Sequence, residues 1–294
     1  MIEYGLSRSG CVAERRLVNH GRRPGRERPR AGSVVLDERH ALAKGLERSN
    51  HPQGRASTCR IVRATFGSLL ASQAPCSATC ALPRDITGGD LYDFNPLEAD
   101  SLAIAIADAA GHGLLATLQA RDVATGLRMG VERDFKIIRT IEKLNRVIHR
   151  SGLSSRFVSL VFGELESNGN FAYINAGHPP PLLLDDHGLQ ELTVGGMLFG
   201  PFPDATNKMG FAHVDRGAVL VLYTDGILER GAESGHPFGA TRLLEWLNDW
   251  RDGSARDAVA DLIAHLRSFG AGSPFEDDVT AIFVRRPRSV VAPR

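Results

Sequence analysis

The chain has 294 residues, 43% hydrophobic and 23% charged, with a formal net charge of +1. That balance points to neither nucleic acid nor a membrane surface, and the length suits one large domain or two small ones. The longest apolar runs, Leu102–Ala107 and Ala218–Tyr223, fall far short of a membrane span, and no apolar stretch follows the N-terminal charges as a secretory signal requires.

Residues 1–60 differ from the rest. Arg15, Arg16, Arg22, Arg23, Arg26, Arg28 and Arg30 crowd a segment that also carries Pro24 and Pro29. Such a stretch buries too little apolar surface to offset its ordering entropy, so disorder is expected, with a short helix over Asp37–Arg48. A basic arm that touches nucleic acid or an acidic partner is the sharper reading, a solvated tail or a misassigned start the favoured one, so nucleic acid is not expected as a partner. All four cysteines, Cys11, Cys59, Cys76 and Cys80, lie in the first third. A disulfide framework would not leave the remaining chain without cysteine, so a reducing cytoplasm fits, and Cys76 and Cys80 lack a second ligand pair at zinc spacing.

A globular part is expected from about residue 65 to 286, with a flexible tail over 287–294. Phe66–Ser72 is read as a first strand. The glycine pair of Thr87-Gly88-Gly89-Asp90 then presents a carboxylate. The apolar run Leu102–Ala107 reads as a buried strand ending on Asp108, and Gly111-His112-Gly113 turns it into a helix carrying Leu114, Leu115, Leu118, Val123 and Leu127. Asp134 is expected to cap a second helix with a stripe of Ile137, Ile138, Ile141, Leu144, Val147 and Ile148. Phe157–Leu165 and Phe171–Asn175 form a hairpin through Asn168-Gly169, and Pro181–Leu184 with Leu189–Leu192 a second. Val219–Tyr223 ends on Thr224-Asp225-Gly226. Phe238–Trp250 and Ala255–Phe269 have helical spacing, and Val279–Val284 closes as a strand behind Asp277-Asp278. Strands in blocks, rather than alternating with helices, argue against a doubly wound parallel sheet. They predict an α+β fold, an αββα sandwich of two antiparallel sheets flanked by helix pairs.

Asp90, Asp108, Asp225 and the pair Asp277-Asp278 share one context, an apolar strand's edge or a glycine neighbour. Each alone reads as a turn or cap residue. If folding gathers them, carboxylates without cysteine or clustered histidine suit magnesium or manganese. Two such ions can activate a water for in-line attack on phosphorus. His112 and His178 are each either a proton donor to a leaving alkoxide or a loop-stabilising ring, the latter favoured for His178.

Gly88-Gly89-Asp90-Leu91-Tyr92-Asp93, Asp108-Ala109-Ala110-Gly111-His112-Gly113, Asn175-Ala176-Gly177-His178-Pro179-Pro180, Tyr223-Thr224-Asp225-Gly226 and Asp277-Asp278-Val279-Thr280 occur in that order. The series resembles the metal-dependent (PPM, or 2C-type) protein serine/threonine phosphatases, in their bacterial SpoIIE/RsbU-like branch. The resemblance implies the αββα sandwich and hydrolysis of phosphoserine or phosphothreonine with two divalent cations, Mn2+ or Mg2+. It implies that Asp108 bridges the ions, the Ala109 carbonyl joins one, Asp225 and Asp277 bind the other, Asp90 contributes to the cluster, and Asp278 is an adjacent ligand. It also implies a phosphorylated anti-sigma-factor antagonist of the STAS type as substrate in sigma-factor partner switching, and leaves a homodimer open. Residues 1–60 resemble neither the sensory domain nor the helical linker of many relatives. The competing reading is a catalytically silent docking module that binds a signalling partner. Gly88-Gly89-Asp90 also occurs in cyclic-dinucleotide synthases, but there Asp/Glu-Glu-Phe follows, and here Leu91-Tyr92 does.

Overall fold

Alternation along Leu102–Ala109 decides the layering. Leu102, Ile104 and Ile106 enter one apolar cluster, whereas Ala103, Ala105, Ala107 and Ala109 enter another. The strand is therefore covered on both faces, by large side chains on one side and by a file of alanines on the other. Small residues let a helix pair lie close against that second face.

In the computed structural model, residues 58–60, 76–85, 87–97, 100–134, 137–151, 157–250 and 253–288 are described. Four strands come first: β1 (Thr58–Arg60), β2 (Cys76–Leu82), β3 (Asp90–Pro96) and β4 (Ser101–Ala109). Helices α1 (Leu114–Asp134) and α2 (Ile137–Arg150) follow. Then come β5 (Val158–Glu166), β6 (Asn170–Ala176), β7 (Leu182–Asp185), β8 (Gly188–Glu191), β9 (Gly195–Gly196), β10 (Met209–His213) and β11 (Val219–Tyr223). A one-turn helix α3 (Asp225–Leu228) leads through a 3-10 turn at Ala232–Ser234 to α4 (Gly239–Asp249), α5 (Ala255–Phe269) and β12 (Val279–Arg285).

One sheet runs β1-β2-β12-β11-β7-β8, and the other β10-β6-β5-β4-β3 with β9 beside β6. Every pairing is antiparallel except the two-residue β9 against β6. The central core holds Ile104, Val161, Leu220, Leu222, Ile282 and their neighbours, between the sheets. Helices α1 and α2 cover the β3–β6 sheet, and α4 and α5 cover the other, each over its own apolar cluster. The αββα sandwich expected from the order of elements is the observed fold.

The predicted hairpins, the β11 strand and helix α5 fall where the patterns place them. Asp134, expected as the cap of the second helix, is the last residue of the first. Strands β1, β2, β3, β9 and β10 and helix α3 carry no sequence expectation. In β2 the order Cys-Ser-Ala-Thr-Cys-Ala-Leu has few large side chains to alternate, yet Ala78, Thr79 and Cys80 are fully buried. Strand β10 presents Phe211 to solvent, and α3 is too short for a periodic signal. The expected strand Phe66–Ser72, the helix Asp37–Arg48 and the Arg-rich arm lie outside the described residues, apart from Thr58–Arg60, which pairs with β2. Among the described residues no helix is long and apolar enough to cross a membrane.

Candidate active site

The register of three strands sets one row of polar side chains at an end of the sandwich. Asp90 on β3 lies opposite Asp108 on β4, and Asp108 lies opposite Ser159 on β5. Residues directly opposite share a face. By alternation that face is the inner one, where Tyr92, Ile106 and Val161 join the central core. The same alternation carries Leu222 on to Thr224, and Ile282 back to Thr280 and Asp278, on the facing sheet. The acids are thus brought to one end of the gap between the sheets, where the apolar filling stops.

Hydrogen bonds join the two sheets there. The Thr224 hydroxyl donates to Asp90 Oδ2 at 2.8 Å and accepts the Thr280 amide at 3.0 Å. Asp278 is buried, and its two carboxylate oxygens accept the backbone N–H groups of Arg84 and Gly89, each at 2.6 Å. The turn before Asp90 is therefore fastened to the strand that follows Asp277. A Cβ on Gly88 would overlap the Asp278 carboxylate, and one on Gly89 would come within 2.6 Å of the Ala109 carbonyl oxygen. Only glycines let this turn lie so close. Thr117 Oγ1 donates to the Gly88 carbonyl at 2.8 Å and the Gly113 carbonyl at 3.0 Å, tying both glycine turns to the first part of α1.

Electrostatics show which acids feel one another. Burial, then the negative charges of Asp225, Asp277, Asp278 and Glu229, push the Asp108 carboxyl up to about 7. Burial and then the Asp108 charge raise Asp90 well above the ordinary carboxylate range, with the Thr224 hydroxyl working the other way. Asp225 is raised by burial and by Asp277, and Glu229 by burial, Asp225 and Asp277. Glu229 was not expected in the group; its place four residues after Asp225, one helical turn on, was the available signal.

This is an oxygen-only donor set whose members repel one another, the chemistry that a hard divalent cation relieves. The set is gathered but not closed: among the described residues, no three His, Cys, Asp or Glu side chains stand ready to hold an ion. The donors of Asp90, Asp108, Asp225 and Asp277 fit such an ion in type.

The histidines separate. His112 sits exposed in the Gly111–Gly113 turn, its Nδ1 3.3 Å from the exposed Asp85 carboxylate. His178 is buried, with Nδ1 2.7 Å from Ser159 Oγ, and its backbone N–H and C=O pair with the Asn175 side chain at 2.8 Å each. Burial pushes its ring down to about 3, so it stays neutral and holds the loop after β6. Asp93, the last residue of the first motif, accepts two bonds from Arg128 at 2.8 Å rather than joining the acids.

The raised carboxyls carry a pH consequence. A carboxyl whose folded pKa lies above its unfolded value stabilises the fold at low pH and loses that contribution as pH rises through the folded value. In chelator-treated protein the Tm should therefore fall between pH 6 and pH 8 as Asp108 ionises. Divalent cations must displace that proton, so Mn2+ should raise the Tm more at pH 8 than at pH 6. Thermal melts at both pH values, with and without Mn2+, test this; an equal Mn2+ shift at both would contradict it.

Known proteins resemble this chain in sequence and in fold. The family described as Stage II sporulation protein E (SpoIIE) matches residues 98–287. Protein IcfG of Synechocystis sp. is 36% identical over 138 residues, covering 46% of this chain and 22% of IcfG. Phosphoserine phosphatase RsbU of Bacillus subtilis is 26% identical over 212 residues, covering 70% of this chain and 62% of RsbU. The chain thus spans less than two thirds of the length of either relative. Among solved structures, the SiaA-PP2C domain of Pseudomonas aeruginosa superposes with a TM-score of 0.63 at 24% identity, covering 71% of this chain and 85% of that domain.

Proposed function

The chain belongs to the SpoIIE family, in the RsbU-like branch of the PP2C-type (PPM) fold, and from that premise we propose that it is a metal-dependent protein serine/threonine phosphatase. The observation that carries the reading is the gathering of Asp90, Asp108, Asp225 and Asp277 at one open end of the sandwich, with charges that act on one another. Acids spread over nearly 190 residues have no structural need to meet in mutual repulsion; a site for cations gives them one.

In this reading Asp90, Asp108, Asp225, Asp277 and the Ala109 carbonyl would hold two divalent cations, Mn2+ or Mg2+. When bound, the cations supply Lewis acidity toward phosphoryl oxygens and acidify a water to nucleophilic strength. The chain's own groups orient and protonate. Thr224 fixes one oxygen of Asp90 and so sets the direction of the other. Asp278, an adjacent ligand by resemblance, serves first as the clasp of the Gly88-Gly89 turn, since both its oxygens already accept backbone bonds. Attack of water on phosphorus breaks the P–O bond to the serine oxygen, and the departing alkoxide needs a proton. His112, exposed at the rim, is our candidate donor, with Asp85 beside it to orient the ring.

The catalytic unit in this reading is residues 65–286, in the cytoplasm. The substrate is a serine-phosphorylated STAS-type anti-sigma antagonist, a choice supported by the likeness to a phosphoserine phosphatase, RsbU. The test is phosphate release from a phosphorylated STAS-domain protein and from an aryl phosphate, with Mn2+, with Mg2+ and with chelator, beside Asp225→Asn. Release that needs metal and vanishes in the variant is expected. Release undiminished by chelator, or a stable complex with no turnover in saturating metal, would sink the phosphatase reading, the second in favour of a docking module.

A further inference from the structure

Arg230 is a charged residue with no exposure at all. It follows α3 by two residues, and its guanidinium spends its donors on the end of α5 and the segment after it. Nη2 donates to the Ser273 carbonyl at 2.7 Å and Ser273 Oγ at 2.9 Å, and Nη1 donates to Glu276 Oε2 at 2.7 Å and to the Pro274 carbonyl. Nε donates to the Leu266 carbonyl at 3.2 Å, near the end of α5. The Phe275 ring covers the guanidinium, 4.7 Å from centroid to Cζ. Glu276 returns the contact, its Oε1 accepting the Gly231 amide at 3.2 Å. Burial works against the Glu276 carboxylate, yet Arg230 and these amides hold it below its ordinary range. A Cβ on Gly270 would overlap the guanidinium, so the backbone is cut away to admit it.

The pinned residues, 273–276, run directly into Asp277. The residue that pins them stands five positions after Asp225. These segments meet again at the other end, where the Thr224 amide donates to the Thr280 carbonyl at 3.0 Å and the Gly226 Cα abuts the Asp278 carbonyl. Two acid-bearing segments, 46 residues apart at the Arg230–Glu276 pair, are thus tied at both ends with Asp225 and Asp277 between the ties. We propose that Arg230 is a positioning residue that sets the separation of Asp225 and Asp277, and so the affinity of the site for divalent cations. The inference rests on the metal-site reading above.

The sign of the effect separates this role from a plain charge effect. A positive charge near a cation site weakens cation binding, so removing it by electrostatics alone would tighten the site. Loss of position loosens it. Outer groups that orient ligands are worth about 10–100-fold in metal affinity. Lys keeps the charge but not the planar fork that serves three carbonyls, a hydroxyl and a carboxylate together.

The experiment is Mn2+ binding to the full chain by electron paramagnetic resonance, well below the melting temperature, for wild type, Arg230→Met, Arg230→Lys and Leu247→Ala. Leu247, fully buried on α4, opens a cavity in the same layer and controls for lost stability. Arg230→Met should bind Mn2+ about 10–100-fold more weakly, Arg230→Lys should fall between it and wild type, and Leu247→Ala should bind as wild type does. If Arg230→Met fails to fold, Arg230→Lys carries the comparison. Wild-type or tighter affinity in the Arg230 variants, or an equal loss in Leu247→Ala, would overturn the positioning role alone. No Mn2+ bound by wild type would overturn the metal reading and this role with it.

Discussion

Substituting Asp108 by Asn is expected to cut phosphate release by at least about 10³-fold, and at the same time to raise the melting temperature of the metal-free protein at pH 8 by about 3 °C or more. The loss follows from its position. Asp108 is the acid on which the largest number of other carboxylates act, and it shares a strand pairing with Asp90. It is the group we assign to both ions, and several kcal/mol of transition-state stabilisation depend on it. The gain follows from the same surroundings. At pH 8 the carboxyl is ionised although burial and four neighbouring acids oppose it. An amide of equal shape removes that repulsion. Asn should also flatten the fall in Tm between pH 6 and pH 8. Turnover within tenfold of wild type, or a metal-free Tm below wild type at pH 8, would contradict the assignment.

Gly226→Ala carries the second large effect. The added Cβ would collide with the Asp278 backbone carbonyl and lie 3.5 Å from Asp277 Cβ. A backbone oxygen directly before a central strand cannot swing aside as a side-chain end can. One segment must retreat, and Asp225 or Asp277 moves with it. Overpacking of this kind costs about 1–3 kcal/mol, a Tm loss of about 3–10 °C in a domain of this size. A displacement of about 1 Å in a catalytic arrangement can cost about 10²-fold in rate. Calorimetry and turnover at saturating Mn2+ measure the two losses. A variant with wild-type turnover and Mn2+ affinity would show that the Gly226–Asp278 approach does not set the site.

What was legible in the sequence was the set of strand ends. An apolar run that stops on a carboxylate beside glycine marks the place where a buried strand emerges, and Asp108 and Asp225 were readable on that ground. Five motifs in order supplied the fold. What was not legible depends on partners remote in sequence. Arg230, between Glu229 and Gly231, reads as a solvated turn residue; its burial is possible only because Glu276 and the Ser273 and Pro274 carbonyls fold over it. Thr224 reads as a helix cap but spends its hydroxyl on Asp90, 134 residues earlier. Strand β2 escapes periodicity because small residues dominate it, and its burial is imposed by β12 on one side and by α5. Asp134 was read as a cap from its residue type, and the longer reach of α1 absorbed it.

The clasp at Asp278 also governs when the acid cluster comes into being. It joins residue 278 to the turn at 84–89, and β12 lies between β2 and β11, so the last strand is a central one. A ribosome therefore emits every other strand before the one that completes the sheet, and loop closure over nearly 190 residues makes that final docking slow relative to local helix formation. A chain still in synthesis has Asp90 and Asp108 paired on one finished sheet, but neither Asp277 nor the fastened turn. On the phosphatase reading, activity should therefore appear all at once, when β12 docks, with no partially active fragment before it.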